Sequence, residues 1–327
     1  MGVTVGPVGS VGRVGRRVLL ANVVAEVGIV VTGGLVRLTG SGLGCPSWPE
    51  CTDGSLVPVP TQSEGFHKFI EFGNRLLTFA VLVAAIAALV VVVRPWLARR
   101  WPGLPRIGSA GLVRPPLIWL AVGGLAGIAA QAALGGLTVL LDLHPATVAA
   151  HFMLSMAMIA LAFILYVRAA EPGDSPVHLT VRRELRWVAV AIVSVSLVVL
   201  ALGTVVTGSG PHSGDADAAA RFDFDVRMVS WLHADLVMLF LGLAVAFLLG
   251  ARLSDAPRYV IRAGVLLLGA ITLQGVIGYT QYFAGVPIGL VSLHMLGACL
   301  VWVAALNVLL STRRRGVDLR SQVSPAA

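Results

Sequence analysis

The chain has 327 residues, 57% of them hydrophobic and only 12% charged, and a mean hydropathy of +0.88. A water-soluble domain carries about a quarter charged residues, so a soluble globular fold is excluded. The net charge of +8 does not point to nucleic acid either, because the basic residues are dealt out between apolar runs and form no single patch.

A run that crosses a bilayer core of about 30 Å needs roughly 20 apolar residues. Eight such runs follow one another, at residues 18–36, 70–93, 117–137, 148–167, 187–206, 229–249, 260–279 and 288–310. Each is predicted to be a helix, since in lipid every backbone amide must be paired inside its own segment. Residues 1–17 read as a cytoplasmic leader ending in Arg13, Arg16 and Arg17, and the run that follows shows no small-residue cleavage pattern, so it reads as a retained span.

The first helix ends in Gly33, Gly34 and Arg37, then Thr39-Gly40-Ser41-Gly42. An outer loop with Cys45 and Cys51 comes next. Two nearby thiols on the oxidising side of a membrane are expected to pair, either as a structural staple or as a redox-active couple. Pro46, Trp48 and Pro49 stiffen this loop and suit a lid at the membrane surface. The second helix opens as HKFIEFGNRLLTF, with Glu71 near its outer end and Asn74 and Arg75 one turn deeper. An ionisable residue inside a span is costly and is treated as functional by default; the alternative for Glu71 is a carboxylate paired with Arg75 or Lys68 among the headgroups. His67, Lys68 and Glu64 read as solvated.

Arg94, Arg99, Arg100, Arg106 and Arg114 fill the next connection. Helices three and four then carry Gln131, Gly135 and His151. Residues 169–186, with Arg182, Arg183 and Arg186, form a cytoplasmic linker. Helix five ends in Thr207-Gly208-Ser209-Gly210, matching the close of helix one, and helix six contains His233 in VSWLHADLVMLF, with Asp235 two residues on and facing elsewhere. Arg252, Arg258 and Arg262 follow helix six. Helices seven and eight repeat the earlier spacing as Gln274, Gly278 and His294. Cys299 reads as a small apolar filler, and residues 311–327, with Arg313, Arg314, Arg315 and Arg320, as a solvated basic tail.

Every second connection is basic, which places both termini in the cytoplasm, while the outer loops hold Glu50, Asp53, Asp142, Asp215, Asp217, Asp223 and Asp225. The repeats predict an all-α polytopic membrane protein of two pseudo-symmetric four-helix bundles, 18–168 and 187–310, related by an axis along the membrane normal. Matching helix two to helix six sets Asn74 opposite His233. Each half then presents two positions to an outer-leaflet cavity, Asn74 with His151 and His233 with His294. A lone histidine in an apolar helix is usually a satisfied core residue, but three at similar depth suit axial ligation of heme iron in a bundle. Non-heme zinc or iron would want carboxylate or cysteine ligands converging on the same point.

Taken together, VRLTGSGLGCPSWPEC, EFGNR, HF at His151, VTGSGPHSGD, WLHAD and VSLHMLGA mean that the chain resembles the heme A synthase family, membrane enzymes that oxidise heme O to heme A during assembly of cytochrome oxidase. The resemblance implies a substrate site for heme O in the first half, fed by the enzyme that supplies heme O. It also implies a bis-histidine heme b between His233 and His294 as electron-transfer cofactor. The family's Glu-x-x-His-Arg motif falls on Glu71 and Arg75, but Asn74 stands where the family often has histidine, which leaves His151 as the one obvious iron ligand of that half. The implied reaction converts the C8 methyl to a formyl group by successive hydroxylations and loss of water. Glu71 would handle a proton or stabilise a cationic intermediate, and Arg37 and Arg75 would anchor propionates. A homo-oligomer in the cell membrane is compatible with this reading, and the electron acceptor is not specified by it. Two rivals stand beside it. One is a quinol-linked cytochrome b carrier; the other is a transporter, against which few intramembrane charges are seen beyond Glu26, Glu71 and Asp235. Glu26 is expected to pair within the bundle.

Overall fold

A computed structural model describes residues 11–101, 113–212, 214–215 and 220–315. Part of the leader, Arg106, Asp217 and the tail from residue 316, including Arg320, lie outside the described residues. Among the described residues eight helices are long and apolar enough to cross a membrane: α1 Arg13–Leu38, α2 His67–Arg100, α3 Pro115–Leu140, α4 Pro145–Arg168, α5 Arg183–Ser209, α6 Val226–Leu253, α7 Arg258–Phe283 and α8 Ile288–Ser311.

The helices outrun the predicted spans at their basic ends. Arg13, Arg16 and Arg17 lie inside α1, and α2 runs through Pro95 to Arg99 and Arg100. Long cationic side chains tolerate this because their stems stay in the apolar layer while their heads reach water, and a cation in the last turn complements the helix dipole.

The packing repeats. In the first half α1 packs on α2 and α4, and α3 on the same two; in the second, α5 packs on α6 and α8, and α7 on the same two. The halves meet where α1 crosses α8 and α4 meets α5 and α8. Met156, Ile159, Leu200, Cys299 and Trp302 belong to the apolar core of that seam, and the Trp302 indole donates to the Met156 carbonyl (2.9 Å). Cys299 is fully buried there, as a small filler should be.

The turns before α4 and α8 are also copies. Leu143 and Val286, each eight residues before a histidine, both adopt positive φ (57° and 53°). Each donates its amide to the carbonyl five residues back, Leu143 to Thr138 (2.9 Å) and Val286 to Gln281 (2.7 Å). A β-branched residue is rarely found at positive φ, and the bond between His212 and the Val286 carbonyl (2.8 Å) helps hold it. Leu143 packs on Gly42 and Gly214, where a Cβ would collide with it. The two loops that follow the Thr-Gly-Ser-Gly stretches are also tied directly, Gly42 N to Gly214 O (2.9 Å).

At the basic end the sequence reading needs correction. The tail is not simply solvated: β2 Arg313–Arg315 pairs antiparallel with β1 Val177–Leu179 from the linker, and Thr312 is fully buried. Backbone carbonyls left unpaired at the end of α8 accept from the linker, Thr312 from the Thr180 amide (3.0 Å) and Ser311 from Thr180 Oγ1 (3.1 Å), and the same ribbon brings Arg315 near Glu171 (3.4 Å). Arg114 is the hub beneath this ribbon. It is buried and donates to the carbonyls of Arg168 (2.8 Å), Glu171 (3.0 Å) and Gly173 (3.0 Å) and to the Asp174 carboxylate (2.9 Å). Arg114→Ala is expected to cost about 2 kcal/mol in a denaturant melt in detergent, less than a fully buried pair because Glu171 and Asp174 keep contact with water. Burial pushes the Asp174 carboxyl up, but the hydrogen bond from Arg114 and the charges of Arg114, Arg168 and Arg315 outweigh it and hold it below its ordinary value. Its contribution is therefore present above the ordinary aspartate range and fades as pH falls through the lowered folded value; Asp174→Asn should remove that acid sensitivity.

Candidate functional site

All three histidines, and Asn74, are seated in the same way. Each lies against a glycine of the helix that precedes its own. A Cβ on Gly278 would stand 3.1 Å from His294 Cε1, one on Gly135 3.2 Å from His151 Cε1, one on Gly203 3.4 Å from His233 Cε1, and one on Gly33 3.7 Å from the Asn74 amide nitrogen. At Gly278 and Gly135 a Cβ would crowd the ring, while at Gly203 and Gly33 it would meet its neighbour at ordinary contact distance. Gly278→Val is therefore expected to push the His294 ring off its seat, and a changed ligand-field spectrum of the purified protein with an unchanged helical signal would register it.

Asn74 lies near Gly33 and His233 near Gly203, although the two glycines stand six and four residues before the threonine of their Thr-Gly-Ser-Gly stretches. The helices that carry these side chains are diagonal within their halves: α2 and α4 each pack on α1 and α3, and α6 and α8 each pack on α5 and α7. Diagonal positions leave the bundle interior between them. The Nδ1 atoms of His151, His233 and His294 and the Oδ1 of Asn74 are buried without a hydrogen-bond partner. His151 and His294 thus lack the partner a satisfied core histidine would have, while His233 lies within reach of the Val199 carbonyl.

The glutamines of the repeat explain its spacing. Gln131 donates to the His151 carbonyl (3.2 Å) and to Ser155 Oγ (2.7 Å), and Gln274 donates to the His294 carbonyl (2.8 Å). Each fixes the turn that bears the imidazole. Among the described residues no three His, Cys, Asp or Glu side chains converge on a metal-sized point. The donor set, two imidazoles from diagonal helices, fits the two axial positions of a heme better than a three-ligand metal centre. Asp235 is exposed on α6 and does not join them.

The mouth of the first half at the disulfide-loop end is built by Glu71 and Arg75. Cys45 and Cys51 are joined by a disulfide. The Cys45 amide donates to Glu71 Oε2 (2.6 Å), while Arg75 binds Glu71 Oε1 (2.6 Å) and donates to the carbonyls of Cys45 (2.9 Å), Ser47 (3.1 Å) and Glu50 (3.0 Å). Both residues hold the disulfide loop in place. Trp48 at its tip lies on Gly136, next to the glycine that seats His151. The loop thus sits as a lid beside the His151 side of the bundle.

Lys68 is not solvated, whereas His67 stays exposed as expected. Lys68 is buried and donates to the carbonyls of Val59 (2.7 Å) and Gln62 (3.3 Å), and His67 Nδ1 bonds Ser41 Oγ (2.8 Å). The loop folds back over the start of α2, and its own carbonyls replace the water that an isolated helix end would have kept. Arg37 differs from Arg75. It donates to the Thr207 carbonyl (3.0 Å) across the seam, and its Nε is buried with no partner. Of the two arginines it has donors to spare for an anion.

A cavity of about 370 Å³ opens between α1 and α2 at this level, lined by Thr32, Leu35, Val36, Ile70, Gly73, Asn74 and Leu77. On the other side of α1, Gly34 touches the thioether of Met295, the neighbour of His294. Asn74, Gly33, Gly34, Met295 and His294 therefore form a contiguous path between the two halves. The glycine seats at 135 and 278 were legible as part of the Gln, Gly and His repeat. Those at 33 and 203 carry no such mark, and the roles of Lys68 and His67 depend on a loop path that no local pattern specifies.

Comparison with known proteins gives the chain relatives. The family model COX15-CtaA, described as Cytochrome oxidase assembly protein, matches residues 16–306. The chain is 27% identical over 346 residues to a heme A synthase of Methylobacterium sp. (strain 4-46), covering 92% of this chain and 93% of that protein. A heme A synthase of Geobacillus kaustophilus is 39% identical over 74 residues, and there the chain spans 21% of the relative's length. A protein of Chloroflexus aurantiacus named Protoheme IX farnesyltransferase is 26% identical over 302 residues, 89% of this chain and 46% of that protein.

Proposed function

We infer the activity from one premise: this chain belongs to the COX15-CtaA family of cytochrome oxidase assembly proteins. Its activity is that of a heme A synthase, which oxidises the C8 methyl of heme O to a formyl group by successive hydroxylations and loss of water. Residues 18–168 form the substrate half and residues 187–310 the cofactor half. Both termini lie in the cytoplasm, because the basic connections fall on one side and the disulfide loop on the other. The observation that carries this reading is the unequal pair of glycine-seated sites, two imidazoles in one half and an imidazole with an amide in the other.

His233 and His294, on the diagonal helices α6 and α8, would hold a heme b. Bound there, it supplies one-electron transfer. In the first half His151 positions heme O through its iron, and Asn74, a poor iron ligand, leaves the opposite face without a protein ligand. Arg37 offers the free donors for a propionate. Arg75 contributes by holding Glu71 and the lid, and a propionate would have to share its donors with the loop carbonyls. Glu71, fixed by Arg75 and the Cys45 amide, handles a proton beside the methyl group. The relative whose name describes farnesyl transfer to protoheme, and which this chain covers by less than half, supports a farnesylated heme as substrate.

Co-expression with a source of heme O tests the reading. Heme A together with heme b in the extracted pigments is expected; heme b alone at two equivalent sites would mean a cytochrome b carrier, and a colourless protein would favour a transporter. Glu71→Gln removes the exchangeable acid; its amide oxygen can still accept from Cys45, but its NH2 then faces the Arg75 donors, so the disulfide loop is checked alongside activity. Heme A formation is expected to fall by about a hundredfold, and a normal rate with an intact disulfide would reduce Glu71 to a holder of the lid.

A further inference from the structure

Beneath the substrate site lies a second, narrow and partly open cavity that the chemistry above does not use. Its volume is about 10 Å³, and it is bounded by all four helices of the first half: Asn22 and Glu26 of α1, Ala85 and Ala88 of α2, Gly124 of α3 and Met158 of α4 among others. A cavity needs about 10–15 Å³ of this measure, and polar partners, to hold one water molecule. Asn22 and Glu26 are each only 6% exposed. The Asn22 amide oxygen is buried with no hydrogen-bond partner.

The sequence led us to expect a partner for Glu26 within the bundle. Among the described residues none is found; the helix faces opposite it are alanine, glycine, leucine and methionine, and no other titratable side chain lines the cavity. A bare carboxylate in such a place is costly. A carboxylic acid that keeps its proton and donates it to a water is not, and the same water satisfies Asn22. The cavity is also well placed. Glu26 is seven residues deeper than Gly33 on α1, and Met158 seven deeper than His151 on α4, so at 1.5 Å per residue both helices put it about 10 Å beneath the level of Asn74 and His151.

We propose that Asn22 and Glu26 bind a single internal water and that Glu26, as a carboxylic acid, is a proton station for the first half. The carboxyl passes its proton to the water on one oxygen and takes another on the second, so no net charge stays in the bundle. Oxidation of a methyl group moves protons as well as electrons, and the station gives them a route on the side away from the lid. This role rests on the heme A synthase reading; the water and the acid do not.

Infrared difference spectroscopy of the full-length protein in detergent, in light and heavy water, tests it. The wild type is expected to show the carbonyl stretch of a protonated carboxylic acid, absent in Glu26→Gln, retained in Glu26→Asp, and shifted in Asn22→Leu, which removes the second partner of the water at nearly constant volume. With heme O supplied, Glu26→Gln should form heme A about tenfold more slowly, a smaller loss than for a group acting on substrate directly, while the heme b spectrum is unchanged. A band that survives Glu26→Gln, or that ignores Asn22→Leu, overturns the site even in a protein that makes no heme A. A full rate in Glu26→Gln overturns the station.

Discussion

Purified His294→Ala protein is expected to lack the heme b proposed for the second half. His294 approaches from α8 and His233 from the diagonal helix α6, each seated on a glycine, Gly278 and Gly203, that fixes its ring. On the proposed reading, removing one imidazole deletes an iron ligand outright. Disturbing a mere supporting partner of a metal ligand costs about 10–100-fold in affinity, so deleting the ligand should exceed about a hundredfold and empty the site during purification. His233→Ala should do the same. The reduced-minus-oxidised spectrum and the extracted pigments measure it. Retention of full heme b in both variants, with the helical signal intact, would mean that these helices do not clasp a common iron.

His151→Ala is the complementary case. Heme A formation should drop by at least about a hundredfold, on the same reasoning for a lost ligand, while heme b stays bound. The two halves share a path through Gly33, Gly34 and Met295 but not a ligand, so the losses should separate cleanly. A His151→Ala protein that loses heme b and still makes heme A would reverse the assignment of the halves. Gln131→Leu offers a graded version, since it removes the bonds to the His151 carbonyl and Ser155 and leaves the imidazole in place.

The disulfide loop shows where residue types mislead. Glu71 and Arg75 were recognisable as costly groups in a span, and one alternative, a carboxylate paired with Arg75, is present in the structure. What composition could not convey is that this pair binds the loop backbone at Cys45, Ser47 and Glu50. Lys68 looked like an ordinary headgroup cation and is buried under the same loop. In each case the partner is a backbone carbonyl or amide more than a helical turn away in sequence, and backbone groups have no residue identity to read.

The amino-acid order by itself determined the spans, the doubling, the basic faces and the depth of the three histidines. Those properties follow from hydropathy, charge and spacing along one chain, and the bilayer converts them directly into helices. Tertiary structure alone decided which glycine seats which ring, which arginine keeps free donors, how the tail closes on the linker as β2 on β1, and that Glu26 has a small cavity and no cation. These depend on the mutual rotation and height of helices distant in sequence. A shift of one residue along a helix turns a side chain by about 100°, and only close packing of all eight chooses among those rotations.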